Sequence, residues 1–217
     1  EAAAFDAFSK AAAGGHLDTV QWLWGQCPEA RKQEMLEAAA FDAFSKAAAG
    51  GHLDTVQWLW GQCPEARKQE MLEAAAFDAF SKAAAGGHLD TVQWMFARCP
   101  DASQQAMLEA VSFDAFSKAA AGGHLDTVQW MFARCPDTSQ QAMLRAMNFN
   151  AFQEAATGGH LETIQWLWTQ CPEDIKQEIL KTELFEAFAR AAVGGHLKTI
   201  QWLWERCSYF SQQAMLG

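Results

Sequence analysis

Tyrosine occurs once and proline five times in 217 residues, and no serine-rich or glycine-rich tract interrupts a chain that is 50% hydrophobic. Such a composition excludes intrinsic disorder. No apolar run reaches the roughly 18 uncharged residues that a membrane span needs. Basic residues are also scarce: 16 Lys and Arg stand against 26 Asp and Glu, for a net charge of −10. That balance opposes the counterion release on which nucleic-acid affinity rests, and it opposes docking on anionic lipid. Neither nucleic acid nor membrane is an expected partner. Asn-Gly and Asp-Gly hairpin signals are missing, β-branched residues are sparse and no segment alternates with period two, so an all-α architecture is expected. The chain opens at a repeat boundary without an initiator Met, a leader or a lipidation motif, as expected of ends set by hand.

What the sequence does contain is a period. Residues 1–36 read EAAAFDAFSKAAAGGHLDTVQWLWGQCPEARKQEML, and residues 37–72 repeat them letter for letter. The third and fourth repeats, 73–108 and 109–144, keep FDAFSKAAAGGHLDTVQW and then change to MFARCPD. The fifth and sixth, 145–180 and 181–216, diverge further but hold the F-x-A-F, G-G-H-L and I-Q-W-L-W landmarks. A fixed period of this length marks a repeat domain in which each copy buries its apolar face on its neighbours. Identity over a whole repeat implies either a very recent duplication or human assembly. The gradient from identical to divergent copies favours an engineered array.

Within one repeat the apolar spacing is helical. Phe5, Phe8 and Ala12 share a stripe of helix A, over about residues 4–13, and Gly14-Gly15 provides the left-handed stop. Leu17, Val20, Leu23, Trp24 and Cys27 mark helix B, with Asp18 in its first turn. Pro28 suits the first position of a short helix C over about 28–37, closed by Met35-Leu36. Before the first Phe of helix A, Ser112 and Asn148 are good N-caps where Ala4 and Ala40 are not. The alanines imply either idealisation or a helix continuous with the one before it.

The segment Ala11-Ala12-Ala13-Gly14-Gly15-His16-Leu17-Asp18-Thr19-Val20-Gln21-Trp22-Leu23 resembles the A-A-x-x-G-H-L-E-x-V-x-x-L stretch of the ankyrin repeat family, and it recurs at His16, His52, His88, His124, His160 and His196. The likeness covers about half of each repeat. Asp6-Ala7-Phe8-Ser9 stands where the family has Thr-Pro-Leu-His, the hairpin signal is missing, and the period is longer than the usual 33 or so. The resemblance implies a right-handed α-solenoid of six ankyrin-like helix-turn-helix repeats, each with a short third helix in place of the β-hairpin, forming one domain over 1–217. It further implies non-enzymatic protein–protein interaction, in the manner of similar arrays in intracellular bacteria and large viruses that engage host proteins.

The recurring polar residues invite chemistry, and the period argues against it. Cys27, Cys63, Cys99, Cys135, Cys171 and Cys207 occur once per repeat, about 10 Å apart if the helices stack, beyond the roughly 7 Å that a disulfide spans. They are expected to be buried free thiols, which fit a cytoplasmic setting. Each His likewise lacks the convergent ligands that zinc requires, so no metal or other cofactor is expected, and the ring is expected to hydrogen-bond across its own inter-helix turn. A column of imidazoles would loosen the stack in acid. Trp22 and Trp24, repeated through Trp202 and Trp204, together with Gln21, tempt a comparison with Pumilio-type RNA readers, which share the period. Repeat charges of −2, −2, −2, −2, −3 and +1 leave no basic stripe, so packing is the expected role. Six equivalent copies offer no asymmetric cluster of nucleophile, base and stabiliser, and Gly14-Gly15 lacks a phosphate-binding frame; an enzyme is not expected.

What remains is surface. On helix A the positions Asp6, Ser9, Lys10 and Ala13 are spaced to face outward, and the residues Asp42, Ser45, Lys46, Asp78, Ser81, Lys82, Asp114, Ser117 and Lys118 continue the row. This row is the expected binding face for a protein partner, on the concave side if the repeats stack as ankyrin repeats do. The alternative is a purely structural array with no ligand. Because the first repeat is identical to an internal one, its outer face is expected to support end-to-end self-association, while Lys198, Arg206 and Ser208 give the sixth a partly cap-like character.

Overall fold

A computed structural model describes residues 2–36 and 40–207. Ser208 lies outside them. The described residues are helical throughout, with no strand. The chain divides into two compact units, residues 1–111 and 112–217.

In the first unit α1 (Ala2–Ala13), α2 (Leu17–Gln26) and α3 (Glu29–Met35) form the first repeat. They are followed by α4 (Phe41–Ala49), α5 (Leu53–Gln62), α6 (Glu65–Ala85), α7 (Leu89–Phe96) and the start of α8 (Asp101–Ala121). The second unit takes the rest of α8, then α9 (Leu125–Arg134), α10 (Asp137–Thr157), α11 (Leu161–Gln170), α12 (Glu173–Glu178), a π-helical turn (Ile179–Glu183), α13 (Leu184–Val193) and α14 (Leu197–Trp204). In the first unit each helix A packs on its own helix B and on the helix A of the next repeat, as in α1 on α4 and α4 on α6. In the second unit α10 meets α13 and α11 meets α14 in the same way.

The helix boundaries follow from local chemistry. Helix A ends in a Schellman motif: the His16 N–H donates to the Ala11 carbonyl at 2.9 Å and the Gly15 N–H to Ala12 at 3.0 Å, with Gly15 at φ 69°. All six second glycines take this left-handed conformation. Cys27, after α2, is extended, and Pro28 occupies the N-cap of helix C at ψ 142°, one position earlier than its expected place inside the helix.

The third helix is not short in every repeat. In the second, third and fourth repeats it runs without a break into the next helix A, giving the 21-residue helices α6, α8 and α10, and α12 of the fifth leads through a π-helical turn into α13; residues 37–39, after α3, lie outside the described residues. Residues 73–76, Glu-Ala-Ala-Ala, are strong helix formers and lie inside α6, as the continuous alternative has it. Ser112 and Asn148 lie inside α8 and α10 instead of capping a helix. Backbone irregularity gathers at this joint: the π-helical turn separates α12 from α13, and Phe149 sits at φ 59° within α10.

The core repeats as well. Phe8, Phe44, Phe80 and Phe116 are fully buried, with small residues such as Ala47, Ala48, Ala83 and Ala84 allowing the helix A neighbours to approach. Each helix A Phe lies near the second aromatic of its own helix B, as Phe44 does with Trp60 at 6.3 Å and Phe152 with Trp168 at 6.4 Å. A second set of contacts joins successive repeats. Trp58 stands edge-on to Trp24 at 5.8 Å, Trp94 to Trp60 at 5.7 Å, Trp166 to Phe132 at 5.3 Å and Trp202 to Trp168 at 6.0 Å. Edge-to-face pairs of this kind contribute about 0.5–1.5 kcal/mol beyond the area they bury. The Trp-x-Trp spacing thus makes one knob and one socket per repeat.

Candidate interaction surface

Helix A is flanked by neighbouring copies of itself and backed by helix B, so little of its circumference meets solvent. The acidic and basic members of the expected row are exposed: Asp6, Lys10, Asp42, Lys46, Asp78, Lys82, Asp114 and Lys118. Each Lys Nζ donates to the Asp four residues earlier, at 2.7 Å from Lys10, 2.8 Å from Lys46, 2.7 Å from Lys82 and 2.7 Å from Lys118. The serines are less open than the charged residues. Ser9 and Ser117 are 7% and 4% exposed, and Ser45 and Ser81 are half-buried. Packing of helix A against its neighbours narrows its solvent arc toward the Asp and Lys positions, which spacing on an isolated helix does not reveal. Exposed pairs of this kind are worth about 0.2–0.5 kcal/mol each and mainly fix the arrangement of charge.

Charge also crosses between repeats. Glu154, at the position that Lys occupies in the first four repeats, accepts from Arg190 of the next repeat at 3.0 Å, while Arg190 also holds Glu186 at 2.8 Å. These partners keep the Arg190 guanidinium above its ordinary pKa, the Glu186 hydrogen bond contributing most. Arg145 bonds Asp174 at 2.5 Å, and Gln153 donates to Glu183. The sequence signal for the Glu154–Arg190 pair is an acid and a base one full period apart, which helix-by-helix pairing overlooks.

The histidines are placed differently from the sequence expectation. The hydrogen bonds that end helix A use the Lys10, Ala11 and Ala12 carbonyls, and the ring reaches back one repeat. His52 Nε2 donates to the Ala13 carbonyl at 3.1 Å, and His196 Nε2 to Thr157 at 2.9 Å. The ring lies in a slot between two glycines: a Cβ on Gly15 would come within 2.3 Å of His52 Nδ1, and one on Gly50 within 2.8 Å of its Nε2. The His therefore satisfies an orphan carbonyl at the end of the preceding helix A. It couples neighbouring repeats instead of closing its own turn.

Burial lowers the pKa of His124, and the nearby His160 acts in the same direction. A folded pKa below the unfolded one means that the unfolded chain takes up the proton first as pH falls. The contribution of His124 is therefore complete above its unfolded pKa of about 6.5 and is lost as pH drops below it. The urea midpoint is expected to be lower at about pH 5.5 than at about pH 7.5, with a smaller difference in His124→Gln. Equal midpoints for the parent chain at the two pH values would contradict this.

The six thiols are free; five are buried and Cys27 is half-buried. Burial pushes the Cys63, Cys99 and Cys207 thiols up, and that of Cys171 to about 11, which keeps them protonated and unreactive near neutrality. In three repeats an arginine at the end of helix B folds back over the first Trp, its guanidinium 3.8 Å from the ring centre in Arg98–Trp94, 3.9 Å in Arg134–Trp130 and 3.5 Å in Arg206–Trp202. Arg206 also donates to the Trp202 carbonyl at 2.9 Å and so helps to finish its helix.

Among the described residues no cluster of His, Cys, Asp and Glu could hold a metal ion, and no helix is long and apolar enough to cross a membrane. The fold and surface define a repeated all-helical array, coupled from copy to copy by aromatic and histidine contacts. No protein-family model matches the chain, and the search of curated proteins finds no relative.

Proposed function

We propose that this chain is an ankyrin-like α-solenoid, assembled by design from near-identical copies, that acts as a non-enzymatic scaffold for protein–protein interaction in a reducing compartment. The observation that carries this reading is the exposed Asp/Lys pair repeated on successive helices A at one-repeat spacing. Stacking uses up the large apolar residues of the internal repeats, and what helix A leaves to solvent is an alternating-charge face suited to a polar protein partner. The glycine-histidine turn supports the ankyrin-like assignment, and the free thiols fit the compartment.

The test is affinity capture with the parent chain and with a Lys10→Glu, Lys46→Glu, Lys82→Glu, Lys118→Glu variant of equal helicity. A protein held by the parent chain and lost from the variant supports the reading. Equal recovery from both removes the helix A face as the site. A second reading, a structural array without a ligand, is favoured by the fact that each of these Lys residues is already paired with its own Asp. It predicts that neither chain retains a partner.

A further inference from the structure

The first and last repeats differ from the internal ones in which positions they leave open, and the two sets belong to opposite sides of a repeat. In the first repeat Ala7 and Thr19 are exposed and Leu23 is half-buried, whereas their counterparts Ala43, Thr55 and Leu59 are buried. Trp22 is 62% exposed, against 8% for Trp202, which has the Trp168 edge to meet. This side also carries a cavity of about 160 Å³ lined by Phe5, Leu23, Cys27 and Met35 among others. In the sixth repeat the open positions are Ala192, Phe188 and Ile200, whose counterparts Ala48, Phe44 and Val56 are fully buried. There an open groove of about 520 Å³ runs between Phe188, Ile200, Gln201, Trp204 and Glu205.

The internal joints show what fits such a groove. Trp94 lies 6.3 Å from Phe44 and 5.7 Å from Trp60, the residues equivalent to Phe188 and Trp204. Trp94 is in turn the equivalent of Trp22. The chain therefore carries the knob on its first repeat and the matching socket on its last. The net charge is −2 for the first repeat and +1 for the sixth, so the pairing is also favourable in sign.

We propose that a second copy of this chain docks head to tail, placing its Trp22 in the Phe188–Ile200–Trp204 groove and continuing the contacts of α1 with α4 and of α2 with α5. The interface is heterologous, so each docked copy brings a further knob and socket of its own. It is independent of whether the helix A face binds another protein.

Sedimentation velocity of the 217-residue chain in reducing buffer tests the proposal. The average mass is expected to climb with concentration through successive multiples of 23.9 kDa. Trp22→Glu and Ala192→Arg, both at exposed positions, are each expected to be monomeric alone. Mixed together, they are expected to form a one-to-one dimer and nothing larger, because one keeps a working tail and the other a working head. Ala7→Arg and Ile200→Lys probe the same two faces should either first variant lose helicity. A parent chain that stays monomeric throughout overturns the proposal, as does association by either single variant or a mixture that remains monomeric.

Discussion

Replacing Gly51 by alanine is expected to destabilise the chain by about 2–4 kcal/mol, a large effect for one methyl group. Two costs combine. Gly51 sits at φ 74°, where an L-residue with a Cβ costs about 1–2 kcal/mol, and the new Cβ would lie 2.3 Å from the His88 ring. The ring of the next repeat must move, and its packing is lost with it. Gly195 separates the two contributions. It has φ 71° but nothing within 4 Å of the place a Cβ would take, so Gly195→Ala should carry only the backbone cost of about 1–2 kcal/mol. Gly61 reverses the sign, because it lies inside α5 with open space around it. Gly61→Ala should therefore stabilise by about 0.5–1 kcal/mol. Urea midpoints of the three variants decide the matter; a Gly51→Ala loss no greater than that of Gly195→Ala would show that the histidine slot contributes nothing.

Phe44→Ala should cost about 3–5 kcal/mol. Phe44 is fully buried and lies 6.3 Å from Trp60 in its own repeat and 6.3 Å from Trp94 in the next, so its removal opens a cavity at a joint between repeats. Coupling between repeats is what stabilises such an array, since one copy alone cannot bury its apolar face. Trp22→Ala, although it deletes a larger side chain, should change the stability of the monomer by no more than about 0.5 kcal/mol because Trp22 faces solvent. Comparable losses for the two variants in chemical denaturation at low protein concentration would contradict the assignment of Trp22 to an open face.

Much of this was legible from residue order. The helical spacing of Phe5, Phe8 and Ala12, the Gly-Gly stop and the lack of any strand signal correspond to helices A and B as found. The unbridged state of the six cysteines follows from their once-per-repeat spacing. Where expectation and structure part, the cause is a neighbouring repeat. Ser9 and Ser117 are spaced as surface residues on an isolated helix but are buried once helix A packs against its neighbours. The His ring is expected to bond within its own turn, yet the slot between Gly15 and Gly50 directs His52 to the Ala13 carbonyl of the preceding repeat. Glu154 loses its partner when read along one helix and gains Arg190 when read across a joint.

The amino-acid order alone determined the period and the helical class, because these rest on local backbone preference and on apolar spacing within a single helix. Only the tertiary structure decided which polar residues reach solvent, which carbonyl each histidine serves, whether helix C stops or runs on, and which sides of the first and last repeats stay open. Those outcomes depend on what an adjacent copy places against each side chain, and a helix considered by itself carries no record of its neighbour.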